Sequence, residues 1–415
     1  MWEKNMNNVI PFKAFLYNSR FKPDFANLLS PPYDIIYPEM QEALLRSHPY
    51  NSVRLCLTKD PNDRDRYRKV ADLYAAWKKE EIIQQNKKPA FYFIRDEFMK
   101  GNKPQVRYGF VGLLELQEFG KGKVFPHEYT LSGPKQDRLS LLEEMGAELS
   151  QIFFCYRDPK QQVEEIFKNL EKVPPHFEGT DSLGVKRSLW LVEDYESTER
   201  ISSLLNESDL LIADGHHRYE TALEYRRRNP GTKGNFIQAY FTNSMSPGFS
   251  ILPIHRLFKL PENRSREGLF DHLQGAGFEI IEKDSHDLPS LTKIDGNNIA
   301  FGLCFSQGNK RLKISRAKRN PLETALEAAQ KDIFELGFGW SPEELKKGLV
   351  TYEHTDEKFL EALQQDPLNL GIYLPACSFD QIMDVVKTGQ RMPQKSTFFA
   401  PKIASGLVNY ELGNG

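Results

Sequence analysis

The apolar run Leu210-Leu211-Ile212-Ala213 leads directly into Asp214-Gly215 and then into a stretch with helical spacing, and no other part of the chain restricts its fold as strongly. The run is too short for anything but a buried strand. Behind it Tyr219, Ala222 and Leu223 fall at the i, i+3, i+4 spacing that lays a helix back on its own sheet. A helix is predicted over 216–228, closed by Asn229-Pro230-Gly231. Gly215 lets the backbone turn sharply or approach a ligand without a Cβ in the way. The first helical N–H groups lack intrahelical partners and carry the positive end of the helix dipole, which makes this turn a natural anion site. His216, His217 and Arg218 add donors there. Asp214 needs a different role: helix N-cap, Mg²⁺ ligand or general base. A zinc site fits poorly, because adjacent helical residues point about 100° apart and the His-Glu-x-x-His pattern is missing. A polar turn with no ligand is the remaining reading.

Around this element strands and helices alternate. Helices are expected at 38–47, 63–85, 161–170, 198–205, 321–335 and 357–364, with another including Leu139, Leu142 and Met145. Strands are expected at 91–95, 108–116, 152–156, 189–192, 236–241, 251–254, 300–305 and 311–314. That pattern predicts an α/β (α+β) fold with mixed sheets. At 415 residues more than one domain is expected, with soft boundaries: an N-terminal region 1–125, a central region 126–258 and a C-terminal region 259–415. The polar stretches 229–235 and 259–268 are the best loops or junctions.

Bulk properties narrow the function. The chain is 40% hydrophobic and 27% charged with a net charge of −2, so it lacks the overall basic footprint of a nucleic-acid binder, and nucleic acid is not an expected partner. Cys56, Cys155, Cys304 and Cys377 are too far apart for a Cys-x-x-Cys pair and read as reduced thiols, which fits the cytoplasm. Met1-Trp2-Glu3-Lys4-Asn5 has no apolar run behind its charges, so a signal peptide is not expected. No apolar stretch is long enough to span a membrane.

Other motifs are weaker. His127-Glu128, followed by Thr130, Lys135 and Arg138, gathers a histidine, a carboxylate and two cations in a loop before a helix, suited either to a charged substrate or to solvent. Pro31-Pro32-Tyr33-Asp34 is a rigid turn. Gly389 to Ser396 has the outer spacing of a P-loop, but Gln394 stands where the second glycine belongs and no helix follows; Lys395, Ser396, Thr397 and Lys402 remain ordinary phosphate donors. Gly-x-Ser-x-Gly and Gly-x-Gly-x-x-Gly are missing, which argues against the common hydrolase and dinucleotide folds.

The stretch Ile212 to Leu223 resembles the domain-of-unknown-function family 1015 (DUF1015). So do Pro31-Pro32-Tyr33-Asp34, Pro49-Tyr50-Asn51, His127-Glu128-Tyr129-Thr130, Lys135 with Asp137-Arg138-Leu139, Leu252 to Arg256 and Met392 to Thr397, in the family's order over nearly the whole chain. The Asp-Gly-His-His-Arg turn is also similar to the nucleotide-binding turn of the ParB/sulfiredoxin-like fold, as in archaeal free-serine kinases. That resemblance implies a ParB/sulfiredoxin-like nucleotide-binding core with additional α/β subdomains. It also implies an acidic catalytic or metal-proximal role for Asp214, with His216, His217 and Arg218 on phosphates.

The expected activity is Mg²⁺-assisted phosphoryl transfer from ATP or ADP to the hydroxyl of a small metabolite, serine or similar. Asp214, His216, His127 and Glu128 form the expected catalytic set. Gly215, His217, Arg218, Arg138, Lys395 and Ser396 are expected on phosphate, and Tyr33, Asp34 and His255 on substrate. A nucleotide-binding regulatory module and a phosphate-ester hydrolase need the same cradle and stay open.

Overall fold

The computed structural model describes residues 6–58, 63–130, 132–231, 234–284, 287–294, 297–341 and 344–412. Met1 to Asn5, where a signal peptide was not expected, lie outside them. The chain forms two compact units: Met1–Ser250 together with Pro401–Gly415, and Ile251–Ala400. The expected cuts at 125/126 and 258/259 do not divide it, because each falls inside a strand whose partners lie on the far side of the cut.

The first unit is built on a nine-stranded mixed sheet. Its strands are β1 (Val9–Ile10), β2 (Phe91–Lys100), β3 (Lys103–Glu115), β4 (Val124–Pro126), β5 (Ile152–Tyr156), β6 (Phe177–Thr180), β7 (Lys186–Val192), β8 (Leu210–Asp214) and β9 (Phe236–Asn243). They lie in the order β4-β8-β5-β9-β3-β2-β7-β6, with β1 beside β3. The pairs β8–β4 and β9–β5 are parallel; the others are antiparallel. The helices that matter here are α1 (Pro38–Ser47), α2 (Arg66–Lys79), α3 (Ser132–Met145), α4 (Gln162–Leu170), α5 (Tyr195–Glu207) and α6 (His216–Arg228). The helix expected over 63–85 is shorter, and 83–85 instead pairs as a strand with 15–17.

Successive strand residues face opposite sides, so the sheet has two distinct surfaces. One carries Phe93, Phe110, Phe241 and Phe154, stacked ring to ring across neighbouring strands with centroids 5.3–5.6 Å apart. Val163 and Phe167 of α4, Ile201 and Leu205 of α5, and Tyr219, Ala222 and Leu223 of α6 complete this core. Tyr219 fixes α6 further: its hydroxyl donates to the Gln117 carbonyl and accepts from the Gln117 N–H, each at 2.9 Å.

The opposite face carries a buried row of charge. Strand register sets Asp96 of β2 directly across from Arg107 of β3 and Arg187 of β7. The three side chains are 0–1% exposed. Arg107 Nη2 donates to Asp96 Oδ2 at 2.6 Å and Arg187 Nη1 to Oδ1 at 2.7 Å, while Arg187 Nε reaches Asp181 at 2.8 Å. Both arginines then capture the returning C-terminal segment: Arg107 donates to the Pro401 carbonyl at 2.6 Å and Arg187 to that of Lys402 at 2.9 Å. Farther on, the Val408 carbonyl accepts from Gln151 and Gln238, and 410–411 pairs with 147–148.

The second unit holds an antiparallel six-stranded sheet of β10 (His255–Lys259), β11 (Glu279–Lys283), β12 (Asn298–Phe305), β13 (Arg311–Ala317), β14 (Val350–Glu353) and β15 (Asn369–Tyr373), ordered β11-β13-β12-β15-β10-β14. One face packs on α7 (Arg266–Gly275) and α8 (Ala325–Ala329), the latter continuing as a π-helix over 330–338. The other face packs on α9 (Asp356–Gln364). The strand expected over 251–254 is offset: 250–252 is one strand and β10 begins at His255. The α/β class with mixed sheets is as expected.

Breaking a buried ion network leaves an uncompensated charge, at a cost of about 3–5 kcal/mol. Asp96→Ala is therefore expected to destabilise the first unit by about that amount in urea unfolding followed by tryptophan fluorescence. An unchanged midpoint would show that the network contributes nothing to stability.

Candidate anion site at the head of α6

Strands β4 and β8 run parallel, so their carboxyl ends lie side by side, with His127 following one and Asp214 ending the other. Ligands of α/β sheets commonly bind at such an edge. Pairing of β8 with β5 slips between Ile212 and Asp214, a bulge that re-aims the end of the strand. Gly215 then takes φ +94° and serves as the N-cap of the 13-residue helix α6. Its left-handed backbone favours glycine, and a Cβ there would crowd the guanidinium folded back over it, 3.0 Å from Arg218 Nη2.

Asp214 sits between two cations. Arg218 Nη2 donates to its Oδ2 at 3.0 Å, and Lys402 Nζ donates to Oδ1. Arg218 also donates from Nη1 to the Gln151 carbonyl at 2.6 Å. Burial opposes ionisation of Asp214, but Lys402 and then Arg218 overcome it and hold the carboxyl at about 2. These contacts use two of the five N–H donors that a guanidinium carries.

The two buried histidines form a second layer. His127 Nδ1 lies 2.7 Å from the Ile212 carbonyl, which can only accept, so Nδ1 carries the proton and Nε2 the lone pair. Glu128 Oε1 lies 3.7 Å from that Nε2. The backbone N–H of His127 donates to His216 Nε2 at 3.2 Å, and the rings meet edge to face at 4.6 Å. Burial pushes the His127 pKa down. Burial, with Lys135, also lowers that of His217, against the opposing influence of Glu220, Asp34 and Glu128. Lys135 and Thr130 both donate to Glu220 Oε2 on α6.

Beside Arg218 opens a small cavity of about 80 Å³. Its apolar wall includes Leu141, Leu142, Met145 and Ile152; Arg138, Tyr33 and Glu148 supply polar groups. The Arg138 guanidinium lies 4.2 Å over the Tyr33 ring and is steadied by Asp137 and the Cys56 carbonyl. Burial raises the Tyr33 phenol against the pull of Arg218 and Arg138. Glu148 Oε2 accepts from the Gln238 N–H at 2.6 Å, and burial pushes its carboxyl up to about 8 even though that N–H and Arg218 act the other way.

A family model described as a protein of unknown function, DUF1015, matches residues 9–332. The chain belongs to the DUF1015 family. The match runs from β1 of this DUF1015 protein to the π-helix of its second unit. No curated protein matches it. Among solved structures it is similar to a free serine kinase in complex with AMP, at 17% identity and a TM-score of 0.37, covering 67% of this chain and 84% of that one. A conserved hypothetical protein from Pyrococcus furiosus is similar at 17% identity and 0.37, with 68% and 90% covered. SbnI with a C-terminal truncation, from Staphylococcus aureus, is similar at 12% and 0.35, with 71% and 85% covered.

Of the residues expected at the site, Tyr33, His127, Glu128, Arg138, Asp214, Gly215, His216, His217 and Arg218 all belong to the first unit and gather near the head of α6. Asp34 is exposed on the turn that carries Tyr33 and adds a negative charge facing His217. His255, Lys395 and Ser396 belong to the second unit. His255 is fully buried there, stacked on Tyr373 at 4.3 Å with Nδ1 accepting from the Leu374 N–H. Ser396 is buried and donates to the Pro393 carbonyl, while Lys395 is exposed at φ +57° in the same turn. These three thus have structural settings within their own unit. Mg²⁺ does not fit at Asp214 as expected: both carboxylate oxygens already face cations. Among the described residues no group of three His, Cys, Asp or Glu is placed to hold a metal ion. Lys402, expected only as an ordinary phosphate donor, is here the partner of Asp214, a pairing with no local sequence signal; Glu148 was not expected.

Because Lys402 is the largest influence favouring the charged form of Asp214, Lys402→Met should let burial prevail. The Asp214 carboxyl, followed by carbon NMR, is expected to titrate above the ordinary value of ~4 rather than near 2. A titration still near 2 would show that Arg218 alone sets it.

Proposed function

We propose that the head of α6 binds the phosphates of a nucleotide, ATP or ADP, and that the site transfers a phosphoryl group to the hydroxyl of a small metabolite, with serine the first acceptor to try. The observation that carries this reading is the convergence of Arg218 and Lys402 on one point at the left-handed start of a 13-residue helix. Phosphoryl transfer depends on positioning and charge neutralisation more than on covalent chemistry, and two fixed cations at a helix N-terminus supply both. The Asp-Gly-His-His-Arg resemblance points the same way.

The acceptor oxygen attacks the terminal phosphorus, its bond to the leaving nucleotide oxygen breaks, and the hydroxyl proton passes to a base. His127 suits that step best, since its tautomer leaves the lone pair on Nε2. Asp214, held near 2, is a poor proton acceptor at neutral pH and acts instead as the anchor that orients Arg218 and Lys402. Arg138 supplies a further cation within the same cavity.

Incubation with ATP or ADP, Mg²⁺ as the nucleotide's counter-ion and a mixture of hydroxyl metabolites including serine, read by mass spectrometry, tests this. A phosphorylated product is expected, and Arg218→Ala should slow its formation about 30- to 1,000-fold, equivalent to ~2–4 kcal/mol of transition-state stabilisation. Full activity in a folded Arg218→Ala protein would overturn the assignment. Nucleotide binding without product would make the site a sensor, and release of inorganic phosphate alone a hydrolase.

A further inference from the structure

Arg138 is held by the carboxylate next to it in the chain. Neighbouring residues on a helix point about 100° apart, so Asp137 and Arg138 of α3 do not face one another by default. Yet Arg138 folds back and donates from Nε at 2.9 Å and from Nη2 at 2.5 Å to Asp137 Oδ2. Its Nη1 donates to the Cys56 carbonyl at 3.0 Å. These contacts use three of the five N–H donors of a guanidinium. The other carboxylate oxygen is tied to α2: Oδ1 accepts from the Tyr67 hydroxyl at 2.5 Å and from Arg66 Nη2 at 3.2 Å. Burial opposes ionisation of Asp137, but Tyr67, Arg138 and Arg66 hold its carboxyl below the ordinary value. The Asp137 side chain is 39% exposed, so its ion pair with Arg138 adds little to stability. Its effect is on where the guanidinium stays, on the wall of the cavity that Arg218 also lines.

Resting on the reading that nucleotide phosphates sit at the head of α6, we propose that Asp137 is a positioning residue: it aims Arg138 so that the donors left over meet the phosphate chain beside Arg218. A guanidinium fixed before the ligand arrives spares the cost of ordering a long side chain on binding. The sign of the effect separates this role from plain electrostatics. A carboxylate near a phosphate repels it, so by charge alone the removal of Asp137 strengthens binding. A carboxylate that works through Arg138 does the opposite, because without it the guanidinium swings free and binding weakens.

The test is calorimetric titration of the full chain with ADP at neutral pH, arranged as a double-mutant cycle on Asp137 and Arg138. Asp137→Ala is expected to weaken ADP binding about ten-fold, and Arg138→Ala by at least as much. In the Arg138→Ala background, Asp137→Ala should then change nothing or tighten ADP slightly, since only the repulsion is left to remove. Asp137→Asn keeps the shape and loses the charge, so it should weaken ADP about three-fold. Urea midpoints of the variants should stay near that of the wild type, which separates positioning from support of the fold. Unchanged or tighter ADP binding by Asp137→Ala overturns the positioning role and leaves the phosphate reading intact. So does a full second loss on top of Arg138→Ala, or an Arg138→Ala protein that binds ADP as the wild type does. If the alanine variant at 137 fails to fold, unchanged or tighter binding by Asp137→Asn overturns the role in its place. If the wild-type chain binds no ADP, the phosphate reading itself fails and the positioning role with it.

Discussion

Asp96 stands in the sheet of the first unit with Arg107 on one side and Arg187 on the other, all three sealed from water. Taking such ions out of water costs several kcal/mol each, and a low-dielectric interior returns it only when every donor and lone pair is used. Here the two Asp96 oxygens are shared between the arginines, and donors left over from that exchange reach the carbonyls of Pro401 and Lys402. The sheet therefore holds the returning segment by its backbone. That grip leaves the Lys402 side chain to reach Asp214, so the electrostatics at the head of α6 depend on charges buried in the sheet itself.

The site balances two opposing demands. The phosphate seat proposed for it would need concentrated positive charge, yet unopposed cations beside a helix N-terminus would repel one another and the dipole. Asp214 resolves this by lying between Arg218 and Lys402, which keeps both in place before any ligand arrives. Backbone groups orient the histidines: the Ile212 carbonyl faces His127 Nδ1, and the His127 N–H donates to His216 Nε2. Carboxylates nearby are held in sharply different states, Asp214 near 2 and Glu148 near 8, by the presence of two close cations in one case and by burial with weaker compensation in the other.

Much of this could be read from local sequence. Leu210 to Ala213, Gly215 and the spacing of Tyr219, Ala222 and Leu223 specify a strand, a turn and a docked helix over a few residues, and the structure has them at 210–214 and 216–228. Arg138 and Tyr33 were picked out as motifs, though nothing local said that one guanidinium would lie over the other's ring. What could not be read is set by long-range pairing. Asp214 and Lys402 are 188 positions apart, and Asp96 meets Arg187 only through strand register. Glu148 lies in a two-residue strand too short to leave a periodic signal. The unit boundary at 250/251 has no local signal either, and the expected cut at 125/126 falls inside β4, which joins β8 in one sheet. In the second unit, β11, β14 and β15 and the helix α7 were not anticipated, while His255 looked like chemistry and is core.

Lys402 follows the whole second unit in the chain, although it works in the first. On the ribosome, residues 1–250 emerge without it, and the 150 positions of 251–400 must be made before it appears. Until then Arg107 and Arg187 have Asp96 but not the carbonyls of Pro401 and Lys402, and Asp214 has Arg218 but not Lys402. The order of synthesis thus acts as a check on completeness: a chain that stops short has the Asp214–Arg218 turn in its sequence but not the Lys402 cation that faces it.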